Sequence, residues 1–208
     1  MDSQSPTNGE IRVEMVTAAF VASGVPVGVR DLGRLLENLN NPAIARHIEL
    51  VAGAAIRPLY RAASPLLLDT PVLVRRDEIV FATFEGPHSE HDAIRDAAVE
   101  APCLLMAPPF QIQGTVALAP GALPAPALRG LLGGFFVVRN ARVYDADGYM
   151  LGEGEQIVVN GAAVQMSAPT SRHIEAFAEK AGAARRSAQR LATEEEQEAT
   201  PAPMVRAA

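Results

Sequence analysis

Large aromatic side chains are scarce in this chain: there is no Trp, and aromatics make up only 5% of it. Its cores must therefore be filled by Val, Leu, Ile and Ala, which dominate a hydrophobic content of 49%. Cysteine occurs once, at Cys103, so no disulfide can form within the chain, as suits a reducing cytoplasm. Positive charge is in deficit, with a net charge of -6. Phosphate recognition needs clustered basic side chains, so this balance argues against nucleic acid as a partner. No apolar run approaches the roughly 20 residues of a spanning helix; the longest, near Val51–Ala55 and Leu131–Val138, are interrupted by Gly or Arg. The opening MDSQSPTNGE lacks the basic and apolar regions of a signal peptide. A cytoplasmic protein without a membrane span is expected. The motifs GxSxG, GxGxxG, CxxC, HExxH and the P-loop are all missing, so neither an enzyme nor a cofactor is expected.

What is present is a pattern that occurs twice. Val13–Val27 (VEMVTAAFVASGVPV) is answered by Cys103–Leu118 (CLLMAPPFQIQGTVAL), with Phe20 and Gly24 falling on Phe110 and Gly114. Ile11, Val13 and Met15 alternate with Arg12 and Glu14, the period of a strand with one buried face. From Phe20 the strand continues, or a second begins after a turn at Thr17–Ala19. Gly24 leaves room where another backbone or a bulky side chain crosses. Asp31 is placed to cap a helix whose Leu32, Leu35, Leu36 and Leu39 share one face, ended by Asn40, Asn41 and Pro42. A strand over His47–Arg57 follows. PVLVRRDEIVFATF then reads as a hairpin, with Val72 and Val74 on one arm, Arg75–Glu78 as the turn, and Ile79 and Phe81 on the other.

In the second copy Leu128, Leu131 and Leu132 replace the Leu face, in a helix shortened by Pro and Gly. FFVVRNARVYD answers the His47 strand. EQIVVNGAAVQMSA answers the hairpin, with Asn160–Gly161 as a two-residue turn that accepts positive φ. The expected architecture is mainly β with short helices (α+β): two tandem small β-barrel-like domains packed as a pseudo-dimer, plus a C-terminal helix. The expected boundaries are a disordered leader over 1–10, a first β domain over 11–84, a linking helix over 85–100, a second β domain over 101–170, a helix over 171–197 and a disordered tail over 198–208. A unit of this size buries only roughly 60% of its unfolded surface, so two copies would supply each other's missing burial.

Few side chains suggest chemistry. Arg30 and Arg34 resemble the RxxxR clamp of PilZ domains, small β-barrels that bind cyclic di-GMP, since paired guanidiniums grip phosphate. Both also fit the solvent face of a helix, and the accompanying Ser-Gly signature is replaced by Tyr149 in the Asp147–Gly152 stretch. His88 and His91, three apart beside carboxylates, could hold a divalent metal on a helix or be a solvated linker. Asp145, Asp147 and Gly148, followed by Glu153 and Glu155, suggest a calcium loop, but the Gly arrives too early for the EF-hand spacing. Cys103, in an apolar strand, reads as inert packing. In the tail, Ile174, Phe177, Ala181, Ala184 and Leu191 form a narrow helical seam for this protein's own body or for a partner.

Phe20 and Gly24 on a strand, then a helix ending Leu39–Asn40, a strand and a closing hairpin resemble a small bacterial domain of unknown function. The order of elements is also similar to Sm-like small β-barrels. The resemblance covers 11–84 and, more faintly, 103–168; it carries no catalytic residues, and its Sm-like side implies RNA binding. The functional expectation is a non-enzymatic scaffold or adaptor with a partner-binding C-terminal helix, joined to a protein partner or a second copy. The alternatives are a nucleotide sensor using Arg30 and Arg34, and an Sm-like RNA-associated protein.

Overall fold

The computed structural model describes residues 11–41, 43, 46–60, 64–86 and 99–170. Its first half holds β1 (Arg12–Val16), β2 (Phe20–Pro26), α1 (Leu32–Asn40), β3 (His47–Pro58), β4 (Leu66–Leu67), β5 (Val72–Arg75) and β6 (Phe81–Glu85). The second holds β7 (Val99–Ala107), β8 (Phe110–Leu118), α2 (Pro124–Leu131), β9 (Phe135–Tyr144), β10 (Met150–Asn160) and β11 (Met166–Pro169).

Local chemistry accounts for most of these elements. The turn between β1 and β2 is made by Thr17, whose Oγ1 accepts from the N–H groups of Ala19 and Phe20 at 3.2 and 3.0 Å. It separates two strands, and Val13 and Met15 are buried while Arg12 and Glu14 are exposed. Asp31 caps α1, accepting from the Arg34 N–H at 2.8 Å, and Leu32, Leu35 and Leu39 face inward from it. In α2 only Leu128 is buried.

The strands form one 11-stranded sheet in the order β11-β7-β8-β9-β10-β6-β1-β2-β3-β4, with β5 beside β4 on the outer side of β3. This overturns the two tandem β-barrels, and with them the Sm-like order and the resemblance to a small barrel domain. Closing either half would need β5 to pair with β6, or β10 with β11. Neither pairing exists among the described residues. Both expected hairpins are therefore crossings: β6 leaves β5 to pair with β1 and β10, and β11 leaves β10 to pair with β7. Short 3₁₀ turns at Arg76–Glu78 and Gly161–Ala163 redirect the chain in place of hairpin turns. Asn160 has φ -79, and its side chain accepts from the Ala162 N–H, so the Asn-Gly pair makes no positive-φ turn. Alternation tells which faces a strand has, but says nothing of which strand lies beside it.

The antiparallel pairing of β6 with β10 joins the halves. Successive strand residues point to opposite faces, and at this seam both faces are covered. Phe81, Ile157 and Val159 enter one core with β7, β8 and β9 residues. Ala82 and Val158 enter the other, with α1 and β1–β3 residues. Each core thus takes side chains from both halves. No helix among the described residues is long and apolar enough to cross a membrane.

Gly24 and Gly114 sit where the β2–β3 and β8–β9 registers shift. A Cβ at Gly114 would lie 2.5 Å from Val138 Cγ1 and 2.6 Å from Arg139 O, and one at Gly24 would lie 3.0 Å from Val51 O. The glycines admit the crossing backbone, as the missing side chain at Gly24 implied. The partner strands bend at the same places, where Ala52 (φ 51) and Asn140 (φ 48) are left-handed.

Candidate functional site

Where β10 runs past β6, its N-terminal half separates from the seam and leaves an open cleft of ≈ 580 Å³ among the described residues. Its floor is apolar, from Val16, Val21, Phe81, Phe110, Val143 and Ile157. Phe81 and Phe110 meet there edge to face, with ring centroids 5.1 Å apart at 86°, a favoured aromatic geometry. The rim is acidic: Glu14 on β1, Glu85 at the end of β6, and Glu153 and Glu155 on β10. One cation stands among these lining residues, Arg57 of β3, 4.0 Å from Glu14. Leu151 extends the apolar surface at the mouth and is exposed. The floor side chains are packed into the core, with Phe81 6% and Phe110 1% exposed, so the accessible apolar lining is that of Leu59, Phe84 and Leu151, beside the acidic rim.

A second concavity of ≈ 540 Å³ lies along β8, β9 and β10 and shares Glu153, Gly154 and Glu155 with the first. Gln113 and Thr115 flank the Gly114 crossing there, and Gln113 Nε2 and Thr115 Oγ1 are buried without a hydrogen-bond partner.

The residues singled out from sequence lie elsewhere. Arg30 is exposed just before the α1 cap, and Arg34 is ion-paired to Glu37 on the solvent face of α1. Asp145 Oδ1 accepts from the N–H groups of Asp147 and Tyr149, each at 2.9 Å, and so holds the β9–β10 turn. No group of three or more His, Cys, Asp and Glu side chains suited to a metal occurs among the described residues. Cys103 is buried, and desolvation pushes its thiol up to about 12, which keeps it protonated and unreactive at neutral pH. His88, His91, residues 87–98 of the expected linking helix, and Ile174, Phe177, Ala181, Ala184 and Leu191 of the tail lie outside the described residues. The ends of that expected helix are strand, with Glu85 closing β6 and Val99–Glu100 opening β7.

Sequence reasoning missed both concavities because their residues come from strands far apart in the chain. The one available signal was Glu153 and Glu155, weighed with Asp145 and Asp147 as a calcium loop that their spacing did not fit, at alternating positions before the apolar run Ile157–Val159. No family model matches the chain, and no curated protein or solved structure is significantly similar to it. The resemblance to a domain of unknown function therefore has no support from either family or fold.

Proposed function

We propose that this protein is a non-enzymatic adaptor whose seam cleft receives an apolar, positively charged segment of a partner protein. The observation that carries the reading is the pairing of partly exposed apolar lining residues, Leu59, Phe84 and Leu151, with a rim of four carboxylates and one guanidinium. Apolar anchors in such a cleft provide affinity, and rim charges choose the partner and speed its approach. A basic amphipathic segment matches both, whereas an anionic nucleotide or RNA would meet repulsion there.

Binding of a fluorescent Leu/Arg-rich peptide to the full chain, followed by anisotropy, tests this. The expected result is saturable binding that weakens with salt and is lost in Glu153→Lys/Glu155→Lys. A version of the peptide with Glu in place of Arg should not bind. Equal binding by the double variant would refute the reading.

A further inference from the structure

The pairing that joins the two halves has a counterpart at the ends of the sheet. In the first half β6 pairs with β1 through Phe81↔Val16, Ala82↔Met15 and Thr83↔Glu14. In the second, β11 pairs with β7 in the same register, through Met166↔Met106, Ser167↔Leu105 and Ala168↔Leu104. Likewise β5 lies on β3 (His47↔Arg75 to Leu50↔Val72) as β10 lies on β9 (Phe135↔Asn160 to Val138↔Ile157). Thus β11 occupies the place of β6, and β5 the place of β10. The difference is that β6 and β10 pair with each other, whereas among the described residues β11 ends the sheet on one side and β5, with β4, on the other.

Burial shows what those ends lack. Val158 is 0% exposed at the seam, while Leu73, which holds its place on β5, is 63% exposed. Phe81 is 6% exposed, while Met166, which holds its place on β11, is 61% exposed. Leu66 and Leu67 of β4 are also exposed at the β5 end. Open edges carrying large apolar side chains are templates for another strand, and soluble proteins ordinarily blunt them with charge. Proline bounds the match on both sides. Pro71 precedes β5 and Pro169 ends β11, and neither has an N–H to extend a ladder.

We propose that β11 of one copy pairs with β5 of the next, repeating between chains the β6–β10 seam within each. The register is then Met166 opposite Val74, Ser167 opposite Leu73 and Ala168 opposite Val72, as Phe81, Ala82 and Thr83 lie opposite Val159, Val158 and Ile157. The contact is head-to-tail, so it builds a closed ring or an open filament and not a two-fold dimer. It is independent of what the cleft binds.

The test uses Leu73→Asp and Met166→Asp in the full chain, with mass measured by light scattering across a wide concentration range. Both positions are exposed in the single chain, so melting temperatures should stay near the parent value at dilutions where the parent dissociates. The parent should form oligomers and each variant should be a monomer. Mixed, the two variants should form a 1:1 heterodimer, because each retains the edge that the other lacks. A monomeric parent, a dimer that survives in either variant alone, or a mixture that stays monomeric would each overturn the proposal. Peptide binding in the cleft should be unchanged in both variants, which separates this outcome from that of the adaptor reading.

Discussion

Asn40, the last residue of α1, makes two hydrogen bonds with the backbone of Phe135, the first residue of β9. Its Nδ2 donates to Phe135 O at 2.8 Å, and its Oδ1 accepts from the Phe135 N–H at 2.7 Å. The helix of one half is thereby fastened to the strand that borders the seam. Gly134 keeps the approach open, since a Cβ there would lie 2.5 Å from Asn40 Oδ1. A matching contact lies on β10, where Asn160 Nδ2 donates to Ile79 O at 2.8 Å in a buried position.

Asn40→Ala should lower stability by about 2 kcal/mol, the loss of two hydrogen bonds with part of their desolvation cost. Asn40→Asp should fall between, because a carboxylate accepts from the Phe135 N–H but cannot donate to its carbonyl. Urea unfolding of the three proteins checks the order. Indistinguishable midpoints would mean that water replaces Asn40 without loss.

At Gly114 the space is closed by Val138 and by the backbone at Arg139. Gly114→Ala should cost about 1–3 kcal/mol, the range for overpacking a filled core. At the corresponding Gly24, where φ is +159 and the nearest atoms lie at 3.0 and 3.1 Å, the overlap is milder but the backbone is less suited to alanine. Thermal melts should show both variants destabilised. A Gly114→Ala protein as stable as the parent would contradict the close crossing.

Ala52 is exposed and left-handed, with φ 51, a conformation that costs an L-residue roughly 1–2 kcal/mol. Ala52→Gly relieves that strain but adds about 0.4–1 kcal/mol of unfolded-state entropy. The expected net gain lies between about 0 and 1.6 kcal/mol, visible as a small rise in melting temperature. A fall would show that the bend is not where the strain lies.

Cys103 has its thiol pushed up to about 12 by burial, against roughly 8.5 for a free thiol. It should resist alkylation at neutral pH in the folded protein and react fully in denaturant. The folded state keeps its proton where the unfolded chain gives it up. The stability this provides is complete below the free-thiol value and is lost as pH rises towards about 12. Across that alkaline window the parent should lose stability more steeply than Cys103→Ala. Parallel curves would sink the assignment.

Local chemistry was legible in the chain wherever neighbours in sequence decide the outcome. The Asp31 cap, the Leu32–Leu35–Leu39 face and the Thr17–Ala19 turn depend on residues a few positions apart, and Gly24 and Gly114 announce a close crossing by having no side chain. Asn40 and Asn160 were read as a helix stop and a turn because their actual partners, Phe135 and Ile79, are 95 and 81 residues away. The cleft was hidden for the same reason, since it assembles from both sides of the seam.

Periodicity and capping act over a few residues, so most strands, both short helices and their apolar faces could be read from the chain, but not β4 or the strand at Val99–Glu100. That β6 lies against β10 and not β5, and that the halves merge into one open sheet with two shared cores, depends on contacts between strands distant in the chain. Backbone N–H and C=O groups are the same at every residue. Which strand satisfies which is therefore settled by the packing of Phe81, Ala82, Val158 and Val159 on two faces at once, and that packing exists only when the whole sheet has formed.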